Sequence, residues 1–274
     1  MLGENMYFNK EEKTLEVAIA ADNGNAVKLA IKNGANPNTI GIHGVTPLIV
    51  TTGNLHFNAM KALVESGANL NTYDKNGDNA VTLAAQTYIN GDKRYLEYLL
   101  DHGGNPNSKL PDGDPVITRI ALMHDLDAIR WLVAKGADVN VTSRTERPLV
   151  YYFASSLDWD TAWVLIELGA KYHFTDPRFS WEKRLSDTNE TPPSSPLFEY
   201  KEKVWRKLCE SGIEVPPLTS SAMWKKVFNP DDLPAPVSRM PIITCGNKTI
   251  IGEWGKLKPK VESALDYLKR TNQH

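Results

Sequence analysis

Six histidines, at positions 43, 56, 102, 124, 173 and 274, are the first residues to weigh for chemistry. A metal site needs ligands at short, defined spacings, and these six show none. Asp158 and Asp160 flank Trp159, a pairing that could pass a proton in a closed cleft. In a turn such a pair is solvated or caps a helix instead. The run Gly246-Asn247-Lys248-Thr249 echoes a phosphate loop. It lacks the upstream glycine and a following helix pattern, so it reads as the turn of a hairpin. The sequence contains no G-x-S-x-G, no H-E-x-x-H, no C-x-x-C and no G-x-x-x-x-G-K-S/T. These features predict a protein that is not an enzyme and takes no metal and no cofactor. The different-class alternative is an enzyme with its catalytic part in residues 174–274. Against it, those proline-rich residues cluster no acid, base or nucleophile.

The two cysteines are too few for a disulfide framework. Cys209 falls on the apolar face of a helical pattern, and Cys245 lies between Thr244 and Gly246. Two separate thiols is the simpler reading. A bridge pinning the tail to the helix is the alternative, available only in an oxidising compartment.

What positions these side chains is a repeat. The phrase NGANPN (33–38) returns as SGANLN (66–71), HGGNPN (102–107) and KGADVN (135–140), then decays to LGAKYH (168–173) and SGIEVP (211–216). Its glycines, Gly34, Gly67, Gly103, Gly136, Gly169 and Gly212, recur at intervals of 33, 36, 33, 33 and 43 residues. A fixed period in this range marks stacked supersecondary units. Apolar residues stand three, four and seven positions before each glycine, as in Val27, Ala30 and Ile31 or Leu96, Leu99 and Leu100. That spacing is one face of a helix. Glycine stops the helix because the C′ position takes a left-handed conformation that a Cβ penalises. A second apolar stretch lies further back in each unit: VTPLIVTT (45–52), DNAVTLAA (78–85), DPVITRIA (114–121) and RPLVYYFA (147–154). Each unit is thus a tip, a helix, a turn, a second helix and a stop. Neither helix buries its face alone, so neighbours must stack.

With these residues in view, the chain resembles the ankyrin repeat family. The 33-residue period, Gly44-Val45-Thr46-Pro47-Leu48, Leu83-Ala84-Ala85 and the Gly-Ala-Asn/Asp-x-Asn closers carry the resemblance, well over 14–173 and weakly over 174–216. The histidine that the family places after Thr-Pro-Leu is missing: Ile49, Thr82, Thr118 and Val150 stand there. Interlocking between repeats is expected to rest on packing more than on that side chain. The resemblance implies an all-α solenoid of about six helix-turn-helix repeats, the last ones degenerate.

The expected organisation is an irregular lead-in at 1–13, repeats over 14–216 and a capping extension at 217–274. The sixth repeat is stretched by the loop DTNETPPSSP (187–196), with helices near Ser180–Leu185 and Leu197–Ser211. In the extension, prolines limit helix to Ala222–Phe228. Ile242–Cys245 and Thr249–Trp254 form a hairpin, and Pro259–Lys269 a terminal helix. A terminal repeat must match a cap rather than another repeat, which accounts for the decay of the phrase. All seven tryptophans lie at or after position 131. They are expected to fill the junction with the cap, the alternative being an exposed anchor for a partner.

The formal net charge is −2 and the sequence pI about 6.3, without the basic stripe that nucleic acid requires. No apolar run of 18 residues predicts a membrane span. MLGENMYFNKEEK has no apolar core of signal-peptide length. By resemblance, ankyrin proteins bind protein partners through their tips and inner helices. Here the tips are TIGIH (39–43), TYDKN (72–76), SKLPD (108–112) and VTSRTE (141–146). The candidate contacts are Ile40, Ile42 and His43; Tyr73, Lys75 and Asn76; Lys109, Leu110 and Asp112; and Arg144 and Glu146. A narrower resemblance rests on Glu4-Asn5-Met6-Tyr7-Phe8 and LLDHGGNPN. It is to bacterial ankyrin proteins, some of them lipoproteins, that act as immunity proteins against secreted lipase toxins of type VI systems. It implies a monomer that binds a toxin in the periplasm, which requires a signal or lipoprotein segment beyond this sequence. The alternative is a cytoplasmic scaffold.

Overall fold

A computed structural model describes residues 10–186, 191, 195–213, 215, 241–243 and 249–251. The chain divides into two compact units, Met1–Glu146 and Arg147–His274.

The first unit holds four helix pairs: α1 (Lys10–Ala20) with α2 (Gly24–Lys32), α3 (Pro47–Gly53) with α4 (Phe57–Glu65), α5 (Ala80–Ile89) with α6 (Arg94–Asp101), and α7 (Val116–Ala121) with α8 (Leu126–Ala134). First helices stack on first helices, α3 on α5 and α5 on α7; second helices do the same, α2 on α4 and α4 on α6. The stacked faces are those the sequence marks. Val27, Ala30, Met60, Leu63, Leu96, Leu99, Ile129 and Leu132 are all buried. The third position of the stripe, as at Ile31, Val64 and Val133, is only half-buried. Helix α1 begins at Lys10, so the lead-in expected over 1–13 is shorter than the spacing implied.

Local signals start α2, α3, α5 and α8. Asn23 accepts from the Ala26 amide at 3.1 Å. Thr46 accepts from the Ile49 amide at 3.3 Å, with Pro47 in the first turn. Asn79 and Thr82 form a reciprocal capping box, and Asp125 accepts from the Ala128 amide at 3.0 Å. Each satisfies an amide that the helix itself cannot. Helix α5 has 10 residues where α3 has 7, which absorbs the extra residues of that repeat before Gly91.

The stop glycines behave as expected. Gly67 has φ 85° and Gly103 φ 94°. A Cβ built on either meets nothing within 4 Å, so the backbone demands glycine and crowding does not. A second positive-φ position, which the composition conceals, lies in the turn between paired helices. It is filled by Asp22, Leu55, Gly91 and His124, at φ 46°, 62°, 98° and 56°.

Beside the packing, an asparagine ladder interlocks the repeats. The Asn38 side chain donates to the Gly67 carbonyl at 3.2 Å and accepts from the Asn69 amide at 2.6 Å. Asn71 does the same toward Gly103 and Asn105, and Asn107 toward Gly136 and Asp138. Each closer also folds on itself: Asn36, Asn69 and Asn105 accept from the amides of Asn38, Asn71 and Asn107. Only a side-chain amide offers donor and acceptor together at this reach. In LGAKYH these positions hold Lys171 and His173.

The second unit holds α9 (Leu149–Ser155), α10 (Trp159–Glu167), α11 (Trp181–Ser186) and α12 (Phe198–Glu210). Its core is built around Trp159, Phe198 and Trp205. The Trp159 indole donates to Thr191 Oγ1 at 2.9 Å, and the buried Lys201 ammonium lies 5.4 Å from the ring centre. Trp181 donates to the Tyr172 carbonyl at 2.7 Å. These tryptophans fill the interior of the degenerate repeats. Trp131 and Trp163 are half-buried, and Trp224 and Trp254 lie outside the described residues. Strands β1 (Pro241–Ile243) and β2 (Thr249–Ile251) pair antiparallel, with Ile243 opposite Thr249, as the expected hairpin requires. The helices expected at 222–228 and 259–269, and most of the expected cap, lie outside the described residues. Cys209 is disulfide-bonded, so the reading of two separate thiols is corrected.

Candidate functional site

The tips of the first unit are fixed from within and from each other. In the first, Ile42–Gly44 makes a 3-10 turn with His43 at φ 61°. In the second, the Asp74 carboxylate accepts from the amides of Asn76 at 2.8 Å and Asp78 at 2.9 Å. In the third, Lys109 bridges to Pro115 and the Leu110 amide donates to the Asp114 carbonyl at 2.9 Å. In the fourth, the Glu146 amide donates to the Ser143 carbonyl at 2.8 Å. Successive tips are then tied together. The Lys75 amide donates to the His43 carbonyl at 2.8 Å, the Lys109 amide to the Tyr73 hydroxyl at 3.1 Å, and the Arg144 amide to Asp114 Oδ1 at 2.6 Å. Four loops that differ in sequence thus form one braced row.

Most of the sequence-derived contact residues lie on the outside of this row. Ile40 is 64% exposed, Ile42 52% and Tyr73 44%, a high fraction for side chains of this size. His43, Lys75, Asn76, Lys109, Arg144 and Glu146 are exposed. Leu110 is the exception. It is only 9% exposed and belongs to the core, because the bridge at Lys109 turns the following side chain inward. Asp112 is exposed, yet its carboxylate is engaged: one oxygen accepts from Arg119 at 2.5 Å and the other from the Asp114 amide at 3.1 Å. Burial raises the Asp78 carboxyl above the ordinary aspartate range, opposed by a hydrogen bond from Thr82 and assisted by the charge of Asp74. Glu146 has φ 58° where the three earlier tips place Gly44, Gly77 and Gly113.

Sequence reasoning missed two features. Tyr151, Phe174, Phe179 and Trp181 form an aromatic cluster in the second unit, beside a cavity of about 400 Å³ that His173 and Asp176 also line. No periodicity marks it, because the residues come from a helix, an irregular segment and a short turn. The tip-to-tip bonds were also missed. They use backbone groups, which sequence does not distinguish.

Neither the braced tips nor the residues around them bring a nucleophile to a base. They present apolar side chains and exposed cations on a fixed frame, which suits binding to another surface. Among the described residues no helix is long and apolar enough to cross a membrane.

Helix pairs stacked at a constant period define an all-α repeat protein of the solenoid class. Residues 15–110 match the family model for ankyrin repeats, in 3 copies. No curated protein matches the chain. Repeats of this family are protein-binding modules.

Proposed function

We propose that the protein is a bacterial immunity protein: a non-enzymatic binder that neutralises a cognate secreted toxin, of the lipase type delivered by a type VI system. The observation that carries the binding role is the braced row of tips with Ile40, Ile42 and Tyr73 standing out from it. Exposed apolar groups held rigidly lose little entropy on docking, and that is what an interface anchor needs. An inhibitor of this kind covers an active-site mouth or holds a lid shut, without resembling a substrate. An interface of about 1,600 Å² is the usual size. The mixed tips supply apolar anchors within a polar rim. The toxin reading rests on the resemblance of the closers and of residues 4–8, and places the working protein in the periplasm as a monomer.

The test is co-expression with the product of the adjacent gene. Under this reading the two proteins co-purify as a stoichiometric complex on gel filtration, and the complex lacks the toxin's lipase activity. A neighbouring product that neither binds nor is inhibited removes the immunity reading. A cytoplasmic partner captured by the same tips would leave the binding role and replace its purpose with that of a scaffold.

A further inference from the structure

Lys75, Lys109 and Arg144 each tie a tip to the one before it through the backbone amide, and each leaves its side chain exposed. Among the described residues none of these three cations pairs with a carboxylate. The carboxylates of the same tips are turned the other way. Asp74 accepts from the amides of Asn76 and Asp78, Asp112 is paired with Arg119, and Asp114 is buried and accepts from the Arg144 amide. Glu146, exposed at the end of the fourth tip, is the exception. The first three tips lead into α3, α5 and α7, which hold no carboxylate and one charge, Arg119. Their paired helices α4, α6 and α8 hold Glu65, Glu97, Asp101 and Asp127. In a chain of formal net charge −2, this is segregation of charge rather than excess. We propose, on the footing of the immunity reading, that the toxin surface covered by the tips is acidic opposite the second to fourth tips and apolar opposite the first.

The first tip carries Ile40 and Ile42 and neither lysine nor arginine. It is tied to α1, where Glu12 accepts from Thr39 Oγ1 at 2.8 Å and Glu16 lies one turn on. An acidic strip laid along the row in reverse would meet these carboxylates and leave the two isoleucines uncovered. Like charges in contact select against that arrangement, so the charges fix which way round the partner lies. Packed helices lie about 8–10 Å apart, which separates the second tip from the fourth by roughly 20 Å. That length fits within one side of an interface of about 800 Å². Exposed charges act over about 10 Å at 0.1 M salt. The three cations therefore set the rate of association, while Ile40, Ile42 and Tyr73 set that of dissociation. Three cations beside apolar anchors suit a protein better than a nucleic acid, whose phosphates call for a longer basic stripe.

The experiment uses the full chain and the product of the adjacent gene. Association is followed by surface plasmon resonance as salt rises from about 0.05 to about 0.5 M. The wild-type association rate is expected to fall about tenfold over that range. With Lys75→Glu, Lys109→Glu and Arg144→Glu combined, it should start about tenfold lower and rise with salt. The bonds between tips use backbone amides, so the triple variant should melt with the wild type. Carbodiimide coupling of the wild-type complex needs no variant, because it joins an amine to a carboxylate in direct contact. The expected product links Lys75 or Lys109 to an aspartate or glutamate of the partner. A complex with a salt-independent rate, undiminished binding by the triple variant and no link from either lysine would overturn the acidic surface and leave the immunity reading standing. A gene product that does not bind at all removes the immunity reading and the acidic surface with it. If a short single-stranded RNA binds the wild type but not the triple variant while the gene product does not bind, the tips serve a polyanion and the protein partner falls.

Discussion

Asn107 holds Asp138 in the next repeat by the backbone. Its side-chain oxygen accepts from the Asp138 amide at 2.7 Å while its nitrogen donates to the Gly136 carbonyl at 3.1 Å. Both ends of one amide are used, so truncation orphans two backbone groups at once. Asn107→Ala is expected to lower stability by about 1–2 kcal/mol, the range for two hydrogen bonds at a partly solvated site. Asn107→Asp keeps the acceptor and loses the donor, and should fall between. Urea unfolding of the three proteins decides the order; an alanine variant as stable as wild type would mean that the ladder is ornamental.

The turns between helices make opposite predictions for two substitutions. Gly91 has φ 98° and Leu55 φ 62°. Gly91→Ala should cost about 1–2 kcal/mol through the backbone alone, since nothing lies within 4 Å of the new Cβ. Leu55→Gly should add roughly 0.5 kcal/mol, because relief of the left-handed strain slightly exceeds the entropy that glycine loses. Thermal melts in which both changes move the same way would show that the turn is not conformationally limited.

Asp125 supplies a pH signature. Its carboxyl is held below the ordinary aspartate value of 3.8, first by the Ala128 amide and then by the Lys93 charge, against the cost of burial. A lowered folded pKa means that the charged form stabilises the fold above the unfolded value and that this is lost as pH falls through the folded one. Asp125→Ala should therefore cost about 1 kcal/mol at neutral pH, as loss of a helix cap does. The gap between variant and wild type should close below about pH 4. A gap that persists in acid would assign the loss to packing.

For binding, the tips and the outer helices separate. Tyr73→Ala and Arg144→Glu should each weaken the toxin complex by about 1–3 kcal/mol, with the larger loss from the tyrosine. Tyr73→Phe keeps the ring but not the bond to the Lys109 amide, and so isolates the bracing from the contact. Lys61, over the rings of Phe57 and Tyr98 on the outer helices, should be replaceable by alanine without effect on affinity. Calorimetry on the four variants is the measurement. A defect confined to Lys61→Ala would move the interface from the tips to the face of α4.

The helices, their order and their stops were legible in the sequence because each rests on local spacing. Val27 and Ala30 mark a face, and Gly34 ends it. The ladder was visible in principle, since an asparagine closes each of the first four phrases at 38, 71, 107 and 140. Its partners lie a full repeat away, and spacing alone does not reveal a bond. Leu110 was misplaced because a tip was treated as uniformly exposed, whereas a bridged pair of residues alternates sides. The left-handed turn was hidden by chemistry: Asp22, Leu55 and His124 share a backbone conformation and no side-chain property. The disulfide at Cys209 depended on tertiary structure, which no local rule supplies.

The ladder also sets where the gene can be cut and rejoined. Asn38, Asn71 and Asn107 each meet a glycine carbonyl and an amide two residues beyond it. Excising residues 68–103 would leave Asn38 facing Gly67 as before, with the Asn105 amide in place of the Asn69 amide. No group of the ladder would be orphaned. Crossing-over between homologous periods thus yields a shorter or longer array whose seams are already bonded, while a cut out of phase by even one residue breaks the seam. Copy number can drift in the gene for such a chain more readily than its period can.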